Sequence, residues 1–190
     1  MPNSMGILTR RNGIYMQIEI KTLSINDANI QALSNLLIEA VANGAAINFL
    51  HPVSNEKAES FWRNHLVKAE KGKQFVFGAF DGKNLVGTIT LAPVPMENQP
   101  FRAEVQKLIV GISHRGHGIA KMLMNTAEEK AREIGRTLLV LDTATGSDAS
   151  RLYEKMGWQI CGTIPGFGLM PDKTLNAATI YYKHLETAVP

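Results

Sequence analysis

A mixed α/β fold, an α+β arrangement of one mostly antiparallel sheet with about six to seven strands and about four helices, is predicted by three features of the sequence. Two strand-patterned runs, residues 74–80 and 84–91, are joined by Asp81-Gly82 and read as a hairpin. The apolar run Val105-Gln106-Lys107-Leu108-Ile109-Val110 is separated from a strand at 137–141 by a helix-patterned stretch beginning at Ile119. A helix between two strands permits them to run parallel. Finally, no internal repeat or linker divides the chain, so these elements belong to one sheet.

Taken in order, the alternation of Ile18, Ile20 and Thr22 predicts a first strand from Gln17. Asp27 is expected to cap a helix with Ile30, Leu33, Leu37 and Val41 on its apolar face, ending at Asn43-Gly44. A loop follows over 45–52. Ser54 opens a second helix, with Ala58, Phe61, Trp62, His65, Leu66 and Ala69 on one side and a stop at Gly72. After the hairpin, a loop containing Pro93, Pro95 and Pro100 leads to the strand ending at Val110. The third helix carries Ile119, Met122, Leu123, Thr126, Ala127, Ala131 and Ile134 on one face and stops near Gly135. A short helix at 147–156, a strand at 158–164, a Gly/Pro loop and a final strand near 179–184 complete the pattern. Residues 1–16 lack a clean period and are read as an N-terminal extension; 17–186 form a single domain.

Length and composition bound the function. A chain of 190 residues with 45% hydrophobic content sustains one core. Net charge is +3 with the basic residues scattered, which disfavours nucleic acid as a partner. The lone cysteine, Cys161, rules out an internal disulfide and is expected to be a buried, inert thiol in the strand beginning at Trp158. No apolar stretch approaches the roughly 20 residues that span a bilayer, and no apolar core follows Arg10-Arg11. A cytoplasmic protein with no membrane partner is the expectation.

The most informative segment is Arg115-Gly116-His117-Gly118-Ile119-Ala120, which closes a strand and opens a helix. Backbone N–H groups at such a junction converge on one spot, where the helix dipole adds positive potential. Glycine at 116 and 118 lets a ligand approach the backbone, and Arg115 and Lys121 supply cations. Phosphate is the ligand this favours. A glycine turn with no ligand, or a dinucleotide site, fits the Gly-x-Gly pair as well, and Asp142 stands where a ribose-binding acid is expected. Against the dinucleotide stand Lys121 in place of a third glycine, the long loop after Val110, and a single strand-helix-strand unit.

Three motifs and the order of elements together resemble the GNAT superfamily of N-acetyltransferases. Its acyl-CoA loop, Arg/Gln-x-x-Gly-x-Gly/Ala, is matched by Arg115, Gly118 and Ala120; a second motif is matched by Ala149, Leu152-Tyr153 and Gly157-Trp158; and a strand acid by Glu104. The resemblance covers about 17–185. Segments 103–108, 141–143, 146–147, 165–166, 171–172 and 179–181 are similar to the tabtoxin-resistance branch, which acetylates a β-lactam amino-acid toxin. Two departures touch cofactor contacts: Gly146 stands where an asparagine is common, and Ile112 where a proline is.

The resemblance implies acetyl-CoA as cosubstrate, no metal, and two central parallel strands splayed around the thioester. Leu108, Ile109 and Val110 are then expected to line the pantetheine arm, and Arg115, Gly116, His117, Gly118, Ile119, Ala120 and Lys121 to cradle the pyrophosphate. A backbone N–H near Ile109 or Val110 would meet the oxyanion. Glu104 is the first candidate for the base that deprotonates the amine, Asp142 the second, and Tyr153 a proton donor to the thiolate. The implied acceptor is a primary amine of a small molecule, amino-acid-like or antibiotic-like, attacked without a covalent enzyme intermediate. A CoA-binding module without turnover and a protein or peptide acetyltransferase are the alternatives, and a homodimer is compatible with either.

Overall fold

A computed structural model describes residues 7–11 and 14–186. Eight strands form one sheet: β1 (Ile7–Arg11), β2 (Ile14–Thr22), β3 (Phe75–Asp81), β4 (Asn84–Pro93), β5 (Arg102–Val110), β6 (Leu138–Ala144), β7 (Gln159–Leu169) and β8 (Leu175–His184). Four α-helices accompany them: α1 (Asp27–Ala42), α2 (Asn55–Glu70), α3 (Ile119–Glu133) and α4 (Asp148–Lys155). The strand order is β1-β2-β3-β4-β5-β6-β8-β7, and among the described residues only β5 and β6 pair in parallel. This is the mixed, mostly antiparallel sheet expected, with eight strands instead of six to seven, because β1 falls in the segment read as an N-terminal extension.

Helices cover both faces of the sheet. Neighbouring residues of β3 show the division, because Val76 packs with α1 and α2 whereas Phe77 and Ala79 pack with α3. The first core gathers Leu33, Leu37, Trp62 and Leu66, and the second Ile18, Ile89, Leu123, Met124 and Leu139, all essentially without solvent contact. Successive side chains point to opposite faces, so β3 and β4, buried continuously along their middles, serve both cores.

Several boundaries, and the exposure of one residue, differ from expectation. Asn26, not Asp27, caps α1: its Oδ1 accepts the Asn29 N–H at 2.8 Å, and Asp27 lies in the first turn, where its charge suits the helix dipole. Strand β2 starts at Ile14, since Met16 continues the buried alternation of Ile18, and β1 pairs with it. The remaining residues of the 1–16 segment, 1–6 and 12–13, lie outside the described residues. The Gly/Pro segment after Ile164 continues β7 to Leu169 through an irregular register, because β8 begins as early as Leu175 and pairs with it. Cys161 is exposed, which corrects the expectation of a buried thiol. It sits on β7, the outermost strand, whose Ile160, Ile164, Phe167 and Leu169 are exposed as well.

Two polar features pack against the cores. Glu128 of α3, 5% exposed at its side chain, accepts two bonds from Lys183 of β8 at 2.8 Å and one from Trp158 Nε1 at 3.2 Å. Lys183→Met strips that carboxylate of its main partner and should cost about 3 kcal/mol in urea denaturation, and the double variant Glu128→Leu/Lys183→Met should lose less. His65, packed against Phe61 and Trp62, donates from Nδ1 to the Phe61 carbonyl at 3.2 Å.

Burial, aided by the charges of Lys68 and Lys107 and opposed by the Phe61 bond, pulls the His65 pKa from 6.5 down to about 4. The unfolded chain binds a proton below pH 6.5 that the folded ring refuses until about 4. Stability present above pH 6.5 should therefore fall as pH drops through that window. His65→Gln should flatten this part of the profile, read as the urea midpoint at a series of pH values.

Candidate active site

The parallel pair is short. Arg102, Ala103 and Glu104 face Leu138, Leu139 and Val140, and pairing stops there. Beyond it β6 continues with β8 to Ala144, whereas β5 stays with β4 through a bulge. Thr90 pairs with Gln106 and Thr88 with Ile109, so Lys107 and Leu108 together oppose Ile89. Lys107 takes φ of 53°, a left-handed conformation that a β-bulge accommodates. The bulge also exchanges the faces of β5. Ala103 and Val105 belong to the α3 core, yet the buried Ile109 belongs to the α1/α2 core while Leu108 and Val110 pack towards α3.

The gap opened in this way is a cavity of about 1030 Å³, at the upper end of ordinary ligand sites. Its wall includes Glu104, Leu108, Ile109, Val110, Arg115, Gly116, Gly118, Ile119, Ala120, Lys121, Asp142 and Tyr153. His117 is not part of that wall. Left-handed glycines on either side, each with φ of 77°, reverse the chain around it, and its Nδ1 is buried without a partner among the described residues.

At one end stands the start of α3. Gly118 is the N-cap and offers no side-chain bond, so the first-turn N–H groups keep their donors for a ligand. A Cβ built on Gly118 would meet nothing within 4 Å, which places this backbone against open space. Arg115 is held beside it by a bond from Nε to the Val110 carbonyl at 3.2 Å. An uncapped helix start flanked by Arg115 and Lys121 suits a pyrophosphate.

In the middle, Glu104 accepts from Gln106 Nε2 at 3.0 Å and lies 3.7 Å from Arg102 Nη2. Asp142 is exposed on β6, two residues past Val140, and so shares the sheet face of Glu104. Tyr153 comes from α4, on the opposite face, and is buried against Trp158 and Tyr181. Burial first, and the nearby Asp142 and Tyr181 after it, push its phenol well above the ordinary range, so it keeps its proton at neutral pH. The two acids and the tyrosine thus reach one gap from opposite sides of the sheet.

The far end is walled by residues 43–48 of the loop after α1, with Met170 and Asn176 from the β7–β8 hairpin. These two segments are joined by a bond from the His51 N–H to the Pro171 carbonyl at 2.9 Å. Lys107 also enters here and was not singled out in the sequence. Its signal was present, since apolar residues occupy odd positions at Ala103 and Val105 and even positions at Leu108 and Val110, a change of phase that marks a bulge.

Comparison with known proteins agrees with this architecture. Residues 36–158 match the acetyltransferase (GNAT) family. The rat N-acetyltransferase 8B is 35% identical over 133 residues, 61% of this chain and 59% of the relative, so the chain spans well under two thirds of that protein. An N-acetyltransferase from Staphylococcus aureus Mu50 superposes with a TM-score of 0.74 over 88% of this chain and 99% of its own, at 19% identity. The yncA structure from Salmonella typhimurium, solved with its cofactor acetyl-CoA, superposes at 0.71 over 90% and 97%, with 17% identity. These folds are of one kind. The chain belongs to the acetyltransferase (GNAT) family.

Proposed function

We propose that the protein transfers an acetyl group from acetyl-CoA to a primary amine of a small, amino-acid-like or toxin-like molecule. One observation carries this reading: a single cavity runs through the β5–β6 gap, with a phosphate-suited helix start at one end and two carboxylates at its middle. The resemblance to enzymes that take acetyl-CoA supplies the donor. A small acceptor is favoured over a protein chain because the loop after α1 and the β7–β8 hairpin are hydrogen-bonded together at the far end.

In this mechanism Glu104 accepts a proton from the substrate ammonium, directly or through water, with Asp142 on the same face as its partner. The freed amine attacks the thioester carbon, a C–N bond forms and the C–S bond breaks. A backbone N–H at Ile109 or Val110 donates to the carbonyl oxygen as negative charge develops there. As the C–S bond breaks, the nitrogen gives up its second proton to solvent, and Tyr153, held protonated by its burial, donates a proton to the departing sulfur from the opposite face and regains one from solvent. The order of faces gives the amine and the thiol separate routes, and no covalent enzyme intermediate is needed.

Thermal shifts and turnover both test this reading. Acetyl-CoA should raise the melting temperature by mass action, whereas NAD and ATP, which lack the pantetheine arm, should raise it less; a larger shift with NAD would overturn the assignment. Gly118→Val should abolish the acetyl-CoA shift, since it puts a side chain at the helix start and strains a φ of 77°. Glu104→Gln should lower turnover by about 10²–10⁴ with acetyl-CoA affinity nearly unchanged. In the same assay of free-thiol release, a comparable loss in Asp142→Asn marks a shared base, and a loss confined to the amine KM marks a binder of the ammonium. Tyr153→Phe should lose less than either.

A further inference from the structure

The bulge in β5 does more than open the gap, because it also turns a lysine into the acceptor end of the cavity. Lys107 is partly buried, and its Nζ donates to the Ile47 carbonyl at 3.0 Å and stands 5.7 Å from the centre of the Phe61 ring. Among the described residues no carboxylate lies within ion-pair distance of it. Arg102, by contrast, is paired with Glu104 on the same strand. An ammonium has three N–H donors, and one carbonyl and one ring face leave it short of a counter-charge. A structural lysine would sit more cheaply on the surface or beside an acid, yet here the chain adopts a left-handed φ at that residue.

Position supplies the rest of the argument. Lys107 lines the cavity beside residues 43–48, three positions along β5 from Glu104. Burial lowers its pKa and Asp142 acts in the opposite sense, which puts the lysine within electrostatic reach of the acid side of the site. The cavity therefore presents carboxylates to a cation and, a short distance away, an unpaired cation to an anion. That pattern complements a zwitterion.

We propose that Lys107 is a carboxylate-binding group that selects free amino acids as acceptors, the amine facing Glu104 and Asp142 and the carboxylate facing Lys107. This rests on the acetyl-transfer reading and adds to it the class of acceptor and the residue that recognises it. Lys107 takes no part in the bond-making step. Its contribution is to affinity and orientation, so its loss should appear in KM before kcat.

The test uses matched compounds that differ only at the carboxylate: L-methionine with L-methioninamide, L-phenylalanine with phenethylamine, and L-lysine with cadaverine. Thiol release from acetyl-CoA is measured for the wild type, Lys107→Met and Lys107→Arg. The wild type should favour the acids. In Lys107→Met that preference should collapse by about 10–100-fold in kcat/KM, mostly through KM, and Lys107→Arg should restore part of it. An unchanged acetyl-CoA thermal shift in both variants establishes that the fold and donor site are intact. Equal losses on acids and their partners in Lys107→Met, or a wild type that prefers the compounds without a carboxylate, would overturn the lysine's role while leaving acetyl transfer standing. A wild type that acetyl-CoA stabilises yet that releases thiol with no compound in any pair would overturn the selection of free amino acids, and one that acetyl-CoA does not stabilise would overturn the acetyl-transfer reading as well.

Discussion

Pairing between β5 and β6 ends after three residues, and most of the functional geometry depends on that interruption. A continuous parallel ladder would satisfy the backbone of both strands and leave no room between them. The bulge at Lys107 is what keeps β5 with β4 as β6 follows β8 away. The backbone groups of β5 that lose their partners on β6 then border a cavity, where a ligand's amides can replace the missing ladder. A binding site and an unfinished sheet are here the same feature.

The interruption also sorts chemistry by face. Side chains of β5 and β6 alternate, so Glu104 and Asp142 lie on the side of α1 and α2, and Leu139 and Leu141 pack towards α3. Tyr153 approaches from α4 on that second side. A shift of one residue would bring Ala103 or Val105 to the place of Glu104 in β5, or Leu141 to the place of Asp142 in β6, so the register that builds the core also sets the site. Buried alternation thereby does what a dedicated scaffold would otherwise have to do.

Much of this was legible in the sequence, for physical reasons that differ by element. The hairpin of β3 and β4 and the helices α1 to α3 were readable because alternation, caps and glycine stops act locally. The loop at 115–121 was readable because its glycines and cations are contiguous. Cys161 was misread because exposure depends on which strand is outermost, and β8 enters the sheet between β6 and β7, a long-range order that no local pattern encodes. The cap at Asn26 was displaced by one residue, since Asn and Asp are nearly equal as caps and only the bond to Asn29 decides. Lys107 was passed over because its role comes from a change of phase and from a loop some sixty residues earlier, whose Ile47 carbonyl it meets.

A sheet opened in its middle must be held together by something other than its own ladder. Helix α3 packs on β4 and β5, on one side of the gap, yet its Glu128 is bonded to Lys183 of β8, on the other. Lys183 also donates to the Met156 carbonyl at the end of α4, and Trp158, at the start of β7, donates to the same carboxylate. The buried ion pair thus spans the interruption and fixes the β6–β8–β7 half against the β2–β5 half through the helix. Its net worth to folding is small compared with an apolar contact of the same size, because the Glu128 carboxylate has left water and the Lys183 ammonium has partly done so. Its worth lies in geometry, since directional bonds set the width of the gap where nondirectional packing would let the two halves slide. That requirement explains why a charged pair occupies a position in the core that patterning alone would assign to a hydrophobe.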